Sequence, residues 1–311
     1  MEIDLIKFRS MIPSFLLVIL LITCQGFKLG AQYYFYNDRY YDRSIVTEIG
    51  IYSGGMICLT ELGGHPGKNR NHWKDLNWQY TKPFATLYFS GLYQQKMGIR
   101  AQLTAGQIFA SDAVLKNAAV PARSRYLRNL HVRTEIWECS LIGEWHPLNF
   151  FGDPPLVSPY LLAGIGFFQF KPMARWGDRW VELQPLRTEG QGFNEYPDRK
   201  PYALKSWSVP LGLGFRYDLS AIACLRLELN YRILQTDYLD DVSKTYASPE
   251  SFAKNLHPGL VETALALSNR KKEIDSRATT AIGEKRGDPA HNDSWFTAGL
   301  SIGFILNRIR K

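Results

Sequence analysis

Between Ala223 and Leu234 the chain alternates strictly. Leu225, Leu227, Leu229, Tyr231 and Ile233 are apolar, and Arg226, Glu228, Asn230 and Arg232 separate them. Successive side chains of a strand point to opposite faces. One face here suits lipid or a protein core, and the other carries fixed charge of both signs. A transmembrane β-barrel needs that combination, apolar outside and polar inside. A single strand of this kind could be an accident, so its recurrence decides the fold.

The pattern recurs. Ile45–Tyr52 sets Ile45, Thr47, Ile49 and Ile51 against Glu48 and Gly50. Phe84–Leu92 sets Ala85, Leu87 and Phe89 against Thr86, Tyr88 and Ser90, and Gly98–Gly106 sets Ile99, Ala101, Leu103 and Ala105 against Arg100, Gln102 and Thr104. Pro159–Phe170, Ser206–Asp218 and Ser294–Leu306 alternate the same way. In Leu130–Trp145 the charges change parity, from Arg133 and Glu135 to Glu138 and Glu144, which predicts a β-bulge near Ile136–Trp137 or a break. These segments match the roughly 9–11 residues of a tilted transmembrane strand.

The connections add an independent signal. Tyr93–Met97, Pro147–Val157 and Leu219–Ile222 are short or fairly short. Leu59–Pro83, Phe109–Asn129, Lys171–Lys205 and Leu239–Asp293 are long, and the two kinds alternate. Outer-membrane barrels pair long extracellular loops with short periplasmic turns. The expected fold is therefore all-β: an eight-stranded antiparallel transmembrane (outer-membrane) β-barrel, placed in the Gram-negative outer membrane. A soluble lipocalin-like barrel would invert the faces and needs no such alternation of loops. In the last loop, Pro249–Asn255 and Gly259–Ile274 have helical spacing, and Gly283–Asp293 reads as polar, turn-rich and mobile.

Residues 1–31 read as a secretory signal peptide, with Lys7 and Arg9 before the apolar run Met11–Thr23 and a cleavage site at Leu29-Gly-Ala31. An uncleaved anchor helix and lipid attachment at Cys24 are the competing readings. Residues 32–311 then form a single barrel domain. Cys58, Cys139 and Cys224 are widely spaced and give neither a disulfide framework nor a metal motif. The formal charge is +8, and an exported basic chain points to anionic lipid headgroups or an acidic partner rather than nucleic acid. The rings Trp145, Trp207, Tyr217, Tyr231 and Trp295 near strand ends are expected to be interface anchors.

The polar faces supply the candidate site residues. Glu48, Arg100, Glu138, Glu144, Arg216, Arg226, Glu228 and Arg232 would project into the lumen. An eight-stranded lumen is about filled by its own side chains, and buried charges must pair. The expectation is a plug of ion pairs, with a conducting or substrate-binding lumen as the alternative. Motifs for catalysis are sparse: no G-x-S-x-G, no H-E-x-x-H and no phosphate-cradling glycine loop occurs. His65, His72, His257 and His291 fall in loops and His146 at the periplasmic rim. A nucleophilic set could in principle use His131, Ser124 and Glu135, but nothing in the spacing singles them out. Arg286-Gly-Asp288 matches an integrin-type tripeptide, for which a turn is the plain reading.

Several stretches in order resemble the PorG-like outer-membrane proteins of the type IX secretion system. They are Thr47-Glu-Ile-Gly50 with Gly54-Gly55, Arg128-Asn-Leu130, Ser158-Pro-Tyr-Leu-Leu-Ala-Gly-Ile-Gly-Phe-Phe168, Pro185-Leu-Arg-Thr-Glu-Gly-Gln-Gly192, Thr236-Asp-Tyr-Leu-Asp-Asp-Val-Ser243 and Arg286-Gly-Asp-Pro289. The resemblance implies a non-enzymatic barrel of a secretion apparatus, without cofactors. It implies partners too: outer-membrane lipid, the periplasmic ring lipoprotein and its partner, and other outer-membrane secretion components. The three short turns and the periplasmic rim would be the contact surface. Within these motifs Glu189, Asp237, Asp240 and Asp241 would order loops through hydrogen bonds or a bound cation, or else remain solvated. The chain departs from the usual barrel pattern in ending Phe304-Ile-Leu-Asn-Arg-Ile-Arg-Lys311 rather than on an aromatic residue, so either Phe304 serves from within or recognition differs. A stand-alone barrel for adhesion or envelope structure, and a lipid-modifying enzyme, are the competing functional readings.

Overall fold

The computed structural model describes residues 40–41, 44–63, 78–116, 123–152, 154–307 and 309–310. The expected signal peptide, Cys24, His65 and His72 lie outside them. Eight long strands carry the fold: β1 (Ile45–Leu59), β2 (Lys82–Tyr93), β3 (Met97–Ser111), β4 (His131–Trp145), β5 (Val157–Trp176), β6 (Lys205–Asp218), β7 (Ala223–Leu234) and β8 (Ser294–Ile305). Each pairs antiparallel with its neighbours in sequence. The sheet closes where β8 meets β1, from Ser294↔Leu59 to Ile305↔Glu48. Closure leaves no unpaired edge, and in lipid that is a requirement because no water is there to satisfy one. No helix of the described residues is long and apolar enough to cross a membrane.

The two faces separate as the alternation requires. Along β7, Arg226, Glu228, Asn230 and Arg232 are buried, while Leu227, Leu229 and Ile233 are exposed on the outside. The outer wall shows Ile51, Leu87, Phe89, Ile99, Leu103, Leu141, Ile165, Leu211, Leu213, Leu300 and Ile302. A soluble protein does not leave a continuous apolar belt of this extent open to water. The wall is the lipid-facing surface of an outer-membrane barrel.

The strands run past the lengths their alternation suggests, because the outer ends leave the bilayer and continue into the loops. β4 carries no bulge. It pairs without interruption with β3, from Ser111↔His131 to Met97↔Trp145, and with β5, from Arg133↔Met173 to Trp145↔Leu161. Arg133 and Glu135 stay on the outward parity of Trp137. What changes is the surroundings of that face, from lipid to water. Trp295 also differs from expectation: it is fully buried, pointing inward against Phe168 with ring centroids 5.0 Å apart, and does not anchor an interface.

Long connections lie at one end of the barrel and short turns at the other. A short strand, Arg179–Glu182, folds back on the end of β5, and helices α1 (Arg123–Arg128), α2 (Pro249–Asn255) and α3 (Pro258–Ser268) build the extracellular loops. Pro249 and Pro258 each occupy the first helical position, where a missing N–H costs nothing. α3 ends at Ser268, short of Ile274, and a separate 3-10 turn, Lys271–Glu273, follows it. Phe193, Phe252, Ala264 and Leu267 cluster with Leu183, Leu186, Leu239 and Val242, so the loops form a cap whose apolar core is continuous with that of the upper barrel. Tyr40–Tyr41 and Ile309–Arg310 are two further short strands.

Leu141 lies mid-strand on the lipid face, paired with Ala101 and Ile165. Leu141→Arg is expected to cost about 2–4 kcal/mol, the range for a cation near the bilayer midplane. Urea titration of folding into lipid vesicles measures it.

Candidate functional site

Two buried polar assemblies stand out, one in the lumen and one in the cap.

The lumen assembly is built by inward positions of seven strands. Glu48 (β1) accepts from Arg226 (β7) at 2.7 Å, from Arg216 (β6) at 2.8 Å and from the Tyr88 hydroxyl (β2) at 2.6 Å. Glu144 (β4) accepts from Arg226 at 2.9 Å and from Arg100 (β3). Arg100 also reaches Glu228 (β7) at 2.7 Å, and the Tyr160 hydroxyl of β5 donates to the same oxygen at 2.6 Å. Higher in the barrel, Arg232 lies 3.3 Å from Glu138, which also accepts from the Ser208 hydroxyl at 2.6 Å. The guanidinium of Arg100 stacks 4.8 Å from the Tyr88 ring centroid, and Arg226 sits between Tyr88 and Tyr160.

Four glutamates thus meet four arginines, all buried. Small residues make room for this. A methyl group on Gly50 would stand 2.4 Å from the Tyr88 hydroxyl, and one on Gly214 would stand 2.5 Å from the Tyr160 ring. Above the charges lies an apolar layer of Tyr52, Met56, Phe84, Phe168 and Trp295. The lumen is a packed, charge-balanced interior.

The cap assembly joins residues far apart in sequence. The Glu189 carboxylate accepts from the backbone N–H groups of Ser243 and Lys244, each at 3.0 Å, and from Arg286 at 3.0 Å. Arg286 also donates to the Asp241 and Ser268 carbonyls. Asp241 accepts from the Thr188 hydroxyl and, at 2.7 Å, from the Tyr202 hydroxyl. Arg128 grips Asp112 with two nitrogens, both at 2.8 Å, and donates to the Arg286 carbonyl at 2.6 Å and the Glu61 carbonyl at 3.0 Å. Two-pronged guanidinium–carboxylate pairing of this kind fixes geometry as well as charge. Gly287 is held so tightly that a methyl group there would stand 2.5 Å from Glu61 Oε2 and from the Ser243 nitrogen.

Asp240 accepts from the backbone N–H groups of Val242 and Leu62, and Asp293 from that of Leu239 at 2.9 Å. These two acids, with Asp237 and Glu61 nearby, are buried. Burial pushes the Asp240 carboxyl up to about 6, with Arg128 and Arg286 opposing. Asp293 is raised further by burial and then by the charges of Asp240, Asp237 and Glu61. Burial likewise pushes Asp241 up to about 7, against the pull of Arg286.

Glu189, Asp237, Asp240 and Asp241 are therefore not solvated loop carboxylates. Each is buried, because the loops fold on one another. No cluster of three or more His, Cys, Asp or Glu side chains among the described residues has the arrangement to hold a metal ion. Gly283–Asp293 is pinned by the buried Arg286 and Asp293 and by the Thr245↔Lys285 bridge. Arg286 is enclosed, so the Arg286-Gly-Asp288 tripeptide does not present its guanidinium outward. His131 faces Trp180 and Arg270 and accepts from the Arg175 N–H at 3.0 Å, an orientation that turns it to the hairpin. Arg128 and Arg286, which tie the cap together, have no single-sequence signature beyond the motif stretches that contain them.

No protein-family model matches this chain, and no curated protein matches it. Among solved structures it is similar to the attachment invasion locus protein Ail of Yersinia pestis, with 8% identity, 84% of this chain and 97% of that one covered, and a TM-score of 0.36. A major outer membrane protein of Thermus thermophilus matches with 10% identity, 85% and 100% coverage and a TM-score of 0.36. Outer Membrane Protein W of E.coli matches with 12% identity, 83% and 97% coverage and a TM-score of 0.32. The membrane assignment rests on the barrel's own apolar wall.

Each assembly can be probed by mutation. Arg100→Met leaves Glu144 and Glu228 each short of a partner, and breaking a buried pair costs about 3–5 kcal/mol. Adding Glu228→Leu is expected to cost less than the two single losses together, in a double-mutant cycle of unfolding free energies. In the cap, Asp240 and Asp293 have raised carboxyls, so the folded cap holds more protons than the unfolded chain. That stabilisation is complete below the ordinary carboxylate range; the Asp240 part is lost as pH rises through about 6, and the Asp293 part, whose carboxyl is raised further, is lost at higher pH. Loop melting followed by tryptophan fluorescence should therefore start at lower temperature at pH 7 than at pH 4.5. Asp293→Asn, a mimic of the protonated acid, should narrow the difference.

Proposed function

We propose that this barrel is a non-enzymatic component of the type IX protein secretion machinery that links the outer membrane to the periplasmic ring. The cap carries the reading. Four of the six motif stretches that resemble PorG-like proteins lie outside the eight long strands, far apart in sequence, yet Glu189, Asp241, Arg286 and Arg128 from them meet in a single buried lock. Motifs devoted to architecture suit a scaffold. The filled lumen fits the same role, since a plugged interior leaves the surfaces to do the work.

The contact surface for the ring lipoprotein would be the short turns. The β4–β5 turn is the prominent one: Leu148, Phe150 and Leu156 are exposed there, and Phe151 is 89% exposed at its tip. Below it the turns brace one another, with Asn149 donating to the Gln95 carbonyl at 2.6 Å and Ser158 donating to Asn149 at 3.0 Å. A rigid turn with an exposed aromatic tip suits docking on a preformed partner.

A competing reading also comes from the cap. Its fold, with α2 and α3 over a closed core, equally suits an outer surface that engages external ligands for adhesion or envelope structure. Chromosomal deletion separates the two. Under the leading reading the deletion strain retains its secreted cargo in the cell, and a photo-crosslinker at Phe151 captures a periplasmic ring component. Normal secretion in that strain would exclude the role. Loss of surface binding on removal of residues 247–283, with secretion intact, would favour the cap.

A further inference from the structure

The charges on the outside of the barrel are not spread evenly. Outward-facing positions of β1, β2, β3, β7 and β8 carry no Asp, Glu, Lys or Arg among the described residues. All outward charges of the eight strands fall on three adjacent ones, at their extracellular ends: Arg133 and Glu135 on β4, Lys171 and Arg175 on β5, and Lys205 on β6. The pairings set Glu135 beside Lys171 and Arg133 beside Met173, while Lys205 lies beside Gln169, four residues along β5 from Met173. Beneath Arg133, Glu135 and Lys171, and beginning in the row of Lys205, lies an aromatic group. Trp137 pairs with Gln169, and Phe167 meets Trp207 edge-to-face at 5.1 Å. Exposed tryptophans at this height mark the boundary between lipid tails and headgroups.

Not all of these cations are satisfied by the protein. Lys171 is held by Glu182 at 2.6 Å, and Arg175 by Asp178 at 3.1 Å. Arg133 is different. Its guanidinium is stacked 4.2 Å from the Trp180 ring centroid, which fixes its plane. Its Nε is buried without a hydrogen-bond partner, its Nη2 reaches only the Met173 sulfur at 3.8 Å, and its nearest carboxylate, Glu135, stands 3.9 Å away. Lys205 is exposed and forms no ion pair among the described residues. A pre-oriented guanidinium whose one carboxylate partner stands at 3.9 Å, with an open ammonium two strands away, is suited to a phosphate group.

We propose that the outer face of β4–β5–β6 above Trp137, Phe167 and Trp207 is a binding site for a phosphorylated lipid of the outer leaflet. Continuity identifies the occupant. The apolar wall below is covered by lipid tails, so the groups at the height of Arg133 and Lys205 are the headgroups of those same molecules. Cations near an anionic membrane surface attract it individually, and here they are confined to one side. The site would give the barrel a preferred lipid neighbour on that side, leaving the uncharged wall of β7, β8 and β1 free for other contacts.

The full-length barrel in nanodiscs tests this, titrated with bis-phosphorylated lipid A and with its dephosphorylated form. The wild type should bind the phosphorylated lipid about tenfold more tightly, and Arg133→Ala with Lys205→Ala should abolish the preference. Arg133→Lys with Lys205→Arg, which keeps the charges, should retain most of it. A gel-shift on heating confirms that each variant is folded. Equal affinity of the wild type for the two lipids, or an unchanged preference in the double alanine variant, overturns the proposal. Displacement of the lipid by millimolar inorganic phosphate would overturn its lipid specificity, because a free anion would then suffice.

Discussion

Arg226 sits between Glu48 and Glu144, and the rest of the barrel is arranged around the need to keep that charge paired. A guanidinium inside a closed barrel has no water to fall back on. Stranding it would cost several kcal/mol. Its partners come from β1 and β4, on different sides of the sheet, so the pairs hold only if the strands close in one register. A slip of one residue would send Arg226 into lipid and Leu225 or Leu227 into the lumen. The ion pairs therefore specify the barrel more than they stabilise it, since a packed apolar interior could be as stable. Gly50 and Gly214 serve the same arrangement by leaving space for Tyr88 and Tyr160, whose hydroxyls complete the carboxylates.

The cap obeys a different physics. Its backbone lies outside the bilayer, where loops have water as an alternative partner. It folds because enough apolar surface gathers around Phe193, Phe252 and Leu267 to exclude that water, and the polar groups trapped with it must then find each other. Glu189 and Arg286 do so as an ion pair. Asp240 and Asp293 do so by accepting backbone N–H groups, and burial raises both carboxyls. A cap built this way is a firm structural element rather than a fringe of loops. That firmness favours a protein that holds a fixed shape on the outside while its short turns face the periplasm.

The outer wall links the two regions. Where strands cross the tails, outward residues are apolar on every side. Where they emerge, only β4, β5 and β6 carry charge. The barrel is thus nearly symmetric in its fold and asymmetric in its surface, and the asymmetry is what a neighbouring molecule in the membrane can recognise.

The period-two alternation of segments such as Leu225–Ile233, with long and short connections in turn, was sufficient to determine the barrel, its strand number and which face meets lipid. Those properties depend on neighbours in sequence, and a strand exposes its two faces regardless of what it pairs with. Partners are another matter. That Arg226 bonds Glu48 and Glu144, that Trp295 points inward onto Phe168, and that Glu189 meets Arg286 depend on closure and on loop packing, and such contacts join residues far apart in the chain. Arg133 and Glu135 show the limit best. Read as a sequence, their parity implied a bulge. In the folded chain the strand is regular and the face simply passes from lipid into water, because the bilayer's edge is a property of the assembled barrel and is written in no single strand.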